Sequence, residues 1–145
     1  MSVSIRVFRQ EDHAAAWGVW AATEGLGLSS ADSFESTVRF LERNPGLSFV
    51  AVDGDVVVGT ILCGHDGRRG LIHHLAVAQT HRRQGLGRAL LRQSLAALRE
   101  AQIDKCHLLV FRDNSGGREF WEGVGAEERV TLSLFSIQTR KSEEA

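Results

Sequence analysis

One stretch constrains this chain more than any other: an apolar run, Leu71 to Val77, passes through a short arginine- and glycine-rich turn into a helix striped with leucine, and a second apolar run, Lys105 to Phe111, follows. Leu86, Leu90, Leu91, Leu95 and Leu98 recur at helical spacing, while Arg88, Arg92 and Arg99 occupy the other side. Two buried strands joined by a helix of this length form a parallel pair with a crossover connection. That places the chain in the α/β class.

The remaining segments fill in the layers. Ser4 to Phe8 alternates as a short strand; Glu11-Asp12 opens a helix carrying Trp17, Val19 and Trp20; Asp32 to Arg43 is a second, amphipathic helix closed by Asn44-Pro45-Gly46. Leu47 to Val52 and Val56 to Cys63 form a hairpin about Asp53-Gly54, with a bulge expected at Gly59, and the glycines from Gly64 to Gly70 turn the chain into the Leu71 to Val77 strand. Ser115 to Glu122 reads as a short helix and Arg129 to Ile137 as a last strand. The order is strand, two helices, three-strand meander, helix, strand, helix, strand: a mixed sheet in a single domain over 1–140, with 141–145 as a loose tail.

Composition narrows the function classes. No apolar run nears the roughly 18 residues of a membrane span, and the start of the chain lacks a signal peptide's basic-then-apolar order, so a cytoplasmic address is expected. Cys63 and Cys106 lie in apolar contexts and read as buried, reduced thiols, and the six histidines form no metal-binding pattern, so no metal is expected. The net charge of −1 hides a segregation: Arg68 to Arg99 holds seven arginines and no acid, leaving −8 on the rest of the chain. An anionic partner bound locally is the prediction, with a solvated basic face as the alternative.

The turn Arg82-Arg83-Gln84-Gly85-Leu86-Gly87-Arg88 supplies the place for it. Free backbone N–H groups at a helix start attract negative charge, and glycines let a phosphate approach the main chain. The lysine of a P-loop is missing, and Leu90 stands where a dinucleotide fingerprint needs its third glycine.

At these residues the chain resembles the GNAT superfamily of N-acetyltransferases. The likeness runs from Leu75-Ala76-Val77 through Arg82 to Arg88, and resumes at Asn114 and at Phe120-Trp121-Glu122-Gly123-Val124-Gly125. It implies acetyl-CoA as cosubstrate. By position, the main chain of Leu75, Ala76 and Val77 would pair with the pantetheine arm, the Val77 N–H would polarise the thioester carbonyl, Arg83, Gln84, Gly85, Leu86, Gly87 and Arg88 would wrap the pyrophosphate, Arg82 would join them in binding the cofactor, and Asn114 would bond the arm. Strands four and five would splay at their carboxyl ends, and the Trp17 to Leu28 region would wall the acceptor.

Two departures stand out. The family often protonates the leaving thiolate with a tyrosine in the last helix; this chain has no tyrosine, and Trp121 occupies that place. The glutamate that some relatives carry on strand five is Leu109 here. His73, where arylalkylamine-type relatives have a histidine, is the candidate base, with Glu24 as the alternative and His74 expected on the opposite strand face. The reading is an N-acetyltransferase acting on a primary amine of a small molecule or peptide by direct attack in a ternary complex. The alternative is an acyl-CoA-binding sensor without turnover. Neither membrane nor nucleic acid is expected as partner, and a homodimer is left open.

Overall fold

The computed structural model describes residues 2–140 of the 145-residue chain; the predicted tail at 141–145 lies outside them. Five strands form one sheet in sequential order: β1 (Val3–Val7), β2 (Phe49–Asp53), β3 (Val56–His65), β4 (Gly70–Val77) and β5 (Cys106–Leu108). All neighbours are antiparallel except β4 and β5, which run parallel as the crossover requires. The crossover helix is α3 (Leu86–Glu100), with α1 (His13–Ala21), α2 (Phe34–Arg43) and α4 (Ser115–Gly123) completing the layers.

Successive side chains of β2 and β3 feed different cores, which is why their sequences look continuously apolar. Phe49, Ala51, Ile61 and Cys63 join Leu90, Leu91 and Leu98 of α3 on one face. Val50, Val52 and Leu62 join Phe8, Ala16, Val19 and Trp20 on the other. Trp20 is fully buried, whereas Trp17, three residues earlier, is exposed at the helix surface. Both cysteines are free, and burial pushes the Cys63 thiol up to about 12.

Two irregularities shape the sheet. One lies where it was expected, beside Gly59, with Ala51 opposite Gly59 and Val52 opposite Val57. The other is in β4: Thr60 faces Ala76 but Leu62 faces His73, so His74 and Leu75 share a single partner position.

The two predicted outer strands come out differently. Lys105 to Phe111 shrinks to Cys106–Leu108, because the last pair is Ile72 with Leu108 while β4 runs on to Val77. Arg129 to Ile137 joins no ladder among the described residues; Val130, Leu132, Leu134, Phe135 and Ile137 are exposed, up to 92% for Ile137. Alternating apolar residues report that a segment suits a half-buried strand, but a strand also needs an edge to pair with. Here β5 ends too early to provide one.

Candidate functional site

Where β4 and β5 part, a cleft of about 560 Å³ opens. Its walls include Glu24, His73, Leu75, Val77, Gly87, Asn114 and Trp121, so seven of the positions singled out in the sequence converge on one space, and His74 joins them. The main chain is turned to serve it. Ala78 N donates to Val58 O at 2.8 Å, so by the alternation of an antiparallel ladder the N–H and C=O of Val77 face away from β3, into the gap. Arg82 Nε donates to that Val77 carbonyl at 2.9 Å. The Ala76 side chain, by contrast, is buried in the core with Trp20.

Beyond Val77 the chain makes a 3-10 turn, Gln79–His81, tied down by His81 Nε2 and Asp53 Oδ2 at 2.8 Å. Arg83 (φ +63°) and Gly85 (φ +80°) then bend it through left-handed conformations into α3. Gly85 is the N-cap and no side chain caps the helix; the first helical bond is Ala89 N to Gly85 O at 3.0 Å. The N–H groups of Leu86, Gly87 and Arg88 therefore have no intrahelical acceptor. No acidic residue lies in this first turn to compete for them. Arg83 and Arg88 are exposed beside it, with Arg88 Nη2 donating to the Gly123 carbonyl at 3.4 Å. At Gly87 a side chain would start 3.3 Å from the Phe120 ring.

Asn114 caps α4, its Oδ1 accepting from Gly117 N at 3.0 Å, which leaves the amide N–H₂ for the cleft. Gly25, with φ +83°, packs so closely that a Cβ there would lie 2.7 Å from Asn114 Nδ2; the Glu24 loop thus meets the start of α4. Trp121 is half-buried against the α3 side of the core, edge-on to Phe120 at 5.1 Å.

The opposite wall differs from the sequence reading. A regular strand would send His73 and His74 to opposite faces; the bulge, with His74 at φ +48°, brings both to the cleft. Such a conformation is uncommon for a residue with a Cβ and costs on the order of 1–3 kcal/mol. Its surroundings hold it: Thr60 Oγ1 donates to the His74 carbonyl at 2.8 Å, Trp20 Nε1 donates to Thr60 Oγ1 at 2.9 Å, and the Trp20 ring lies 4.8 Å from the imidazole. His74 Nε2 meets Asp32 Oδ1 at 2.6 Å. His73 packs edge-on to Phe40 at 5.9 Å, and its pKa is lowered by burial first and by His74 second, with Asp32 acting the other way.

Asp32 is the residue that sequence reasoning missed as part of the site, having been taken only as the start of a helix. Ser29-x-x-Asp32 is a capping-box pattern, and the structure uses it as one: Ser29 N donates to Asp32 Oδ2 at 2.8 Å. The pattern signals a fixed carboxylate, though not what its second oxygen meets.

Comparison with known proteins agrees with this geometry. The family model described as the acetyltransferase (GNAT) family matches residues 5–126. An acetyltransferase of Pectobacterium atrosepticum is 30% identical over 141 residues, covering 96% of this chain and 99% of its own. Among solved structures, Ard1 from Thermoplasma volcanium superposes with a TM-score of 0.74 at 22% identity, over 86% of this chain and 82% of that one. The PaiA N-acetyltransferase from Thermoplasma acidophilum, solved with coenzyme A, gives 0.69 at 20% identity, over 86% and 89%. A splayed five-stranded sheet, an uncapped helix start beside it and a family match over most of the sequence together show that this chain belongs to the GNAT acetyltransferase family.

Proposed function

We propose that the protein is an N-acetyltransferase that moves an acetyl group from acetyl-CoA to a primary amine of a small molecule or peptide, by direct attack within a ternary complex. The observation that carries this reading is the pairing of the opened β4–β5 gap with the uncapped start of α3. A diphosphate fits the latter: unpaired N–H groups, a favourable helix dipole, exposed arginines and a glycine at the point of closest approach. Arg83, Gln84, Gly85, Leu86, Gly87 and Arg88 hold it, with Arg82 fixing the carbonyl of Val77, whose own N–H points into the gap. Of Leu75, Ala76 and Val77, Val77 offers its main chain to the extended arm while Ala76 is turned to β3, and Asn114 offers its amide.

Acetyl-CoA supplies an activated acyl group. The chain's contribution is to polarise its carbonyl through the Val77 N–H and to free the acceptor amine of its proton. His73 and Glu24, named from sequence, and His74, added by geometry, are the proton acceptors on the wall. Trp121 packs in the place of the family's tyrosine and donates no proton, since an indole N–H is too weak an acid. A coenzyme A thiol, with a pKa of about 8.5, leaves without one.

The same reading puts the protein in the cytoplasm. Among the described residues no helix is long and apolar enough to cross a membrane, and both thiols are free. The exposed apolar residues of segment 130–137 favour a second copy of the chain as a further partner.

Coenzyme A titrated into the protein in a calorimeter is expected to give saturable heat. Acetyl-CoA mixed with a panel of amines, polyamines, aminoglycosides, amino acids and peptides is expected to release free thiol with at least one. Absence of heat overturns the reading. Tight binding with no turnover on any amine supports instead an acyl-CoA-binding regulatory domain, which the missing tyrosine favours.

A further inference from the structure

Asp32 is held from several sides. Its Oδ2 accepts from Ser29 N at 2.8 Å, its Oδ1 meets His74 Nε2 at 2.6 Å, and its carbonyl meets His13 Nε2 at 2.8 Å. The His74 and Asp32 side chains are only 14% and 9% exposed. A carboxylate is acceptor-only, so Nε2 carries the hydrogen, and in the neutral imidazole the second ring nitrogen, Nδ1, keeps its lone pair. Among the described residues Nδ1 has no hydrogen-bond partner, yet no buried side-chain nitrogen or oxygen is left unpartnered, so Nδ1 reaches accessible space. His74 lines the cleft, so that space is the site. Among the described residues His73, its neighbour, has no side-chain hydrogen bond to fix which nitrogen carries the proton.

We propose that His74 takes the proton from the acceptor amine through Nδ1, and that Asp32 is the positioning residue that fixes its tautomer and orientation. This rests on the acetyltransferase reading. The acceptor's ammonium gives one proton to Nδ1; the freed electron pair forms the carbon–nitrogen bond to the acetyl carbon as the carbon–sulfur bond breaks and its pair leaves with sulfur. The second proton on nitrogen passes to that sulfur, and the proton on Nδ1 passes to water. The bulge puts His73 and His74 on the same side of β4, so that both rings stand at the cleft, 6.4 Å apart. The charged or titratable groups facing the imidazole are Asp32, His73 on the same strand, His13 of α1 behind Asp32, and Glu24 across the cleft.

The test pairs kinetics with nitrogen-15 spectra of the histidine rings. His74→Asn is the variant of choice, because asparagine tolerates the left-handed backbone at this position. Acetyl transfer to phenethylamine, spermidine and an alanyl tripeptide at neutral pH is expected to fall about a hundredfold, the scale of a lost general base, with coenzyme A affinity unchanged. The loss shrinks toward pH 10, where the amine sheds its proton unaided; a His73→Gln change loses at least tenfold less. In Asp32→Asn the Ser29 N–H still claims the oxygen, which turns the amide N–H₂ toward Nε2 and drives the ring proton to Nδ1. Rates drop tenfold or more, and the His74 ring signals exchange from the Nε2–H to the Nδ1–H pattern.

A wild-type ring already in the Nδ1–H form, or a His74→Asn protein within threefold of wild type at neutral pH, overturns this inference alone. A wild-type protein that binds no acetyl-CoA, or transfers acetyl to none of these amines, overturns the acetyltransferase reading and this one with it.

Discussion

On the wall built by α1, the Ser30–Asp32 turn and the β4 bulge, polar side chains end on other protein groups: Trp20 on Thr60, Thr60 on the His74 carbonyl, His74 on Asp32, Asp32 on Ser29. At the start of α3 the reverse holds, with backbone donors and two arginines presented to solvent and no side-chain cap. The first wall carries its strain and its buried charge by internal satisfaction, so it is fixed before anything binds. The second offers donors that no protein side chain satisfies. On the proposed reading, orientation-sensitive chemistry belongs on the first, and a charge-driven grip on the second.

The contrast can be broken in four ways. The largest effect is expected from Trp20→Ala, which removes a fully buried ring and the donor that holds Thr60; the loss of stability is roughly 3–5 kcal/mol by denaturant unfolding. A variant that unfolds at the wild-type midpoint would show that the network is not supporting the wall. Next, Arg83→Ala with Arg88→Ala should weaken coenzyme A about tenfold to a hundredfold in calorimetry while moving stability by no more than about 0.5 kcal/mol. Equal affinity would empty the α3 start of its role.

Third, pH sharpens the difference within the first wall. Burial lowers the His73 pKa below its ordinary 6.5, so the unfolded chain binds the proton more readily. That contribution to stability is present in full above about pH 6.5 and is lost as pH falls through the lowered value. Denaturant midpoints between pH 7.5 and 5 should decline in the wild type and decline less in His73→Phe. The smallest effect is expected from Trp121→Phe: less than tenfold on turnover, because the ring packs and donates no proton. A loss beyond about a hundredfold in steady-state rates, the scale of a removed acid, would reverse that assignment.

How much of this was readable in advance follows from the kind of signal involved. The leucine stripe, the arginine–glycine turn and the hairpin at Asp53-Gly54 are local patterns, and the structure places each where its residues put it. The gathering of Glu24, His73, Asn114 and Trp121 about one cleft came from resemblance to a family, since three separate segments supply them. The His74 bulge was not readable: two adjacent strand histidines alternate unless one residue opposite is missing, and only the pairing with β3 shows that Ile61 faces two positions. Arg129 to Ile137 failed for the converse reason, a sound local pattern without a neighbouring edge.

The lack of tyrosine has an optical consequence. Three tryptophans dominate the near-ultraviolet emission, and they sit in three distinct settings: Trp17 at the surface, Trp20 against His74 at 4.8 Å, and Trp121 in the cleft. Trp20 lies against the His74 ring, so its emission should report changes at that ring. Trp121 should change colour as water leaves the cleft. The molecule thus carries a separate, label-free lamp on each of its two walls.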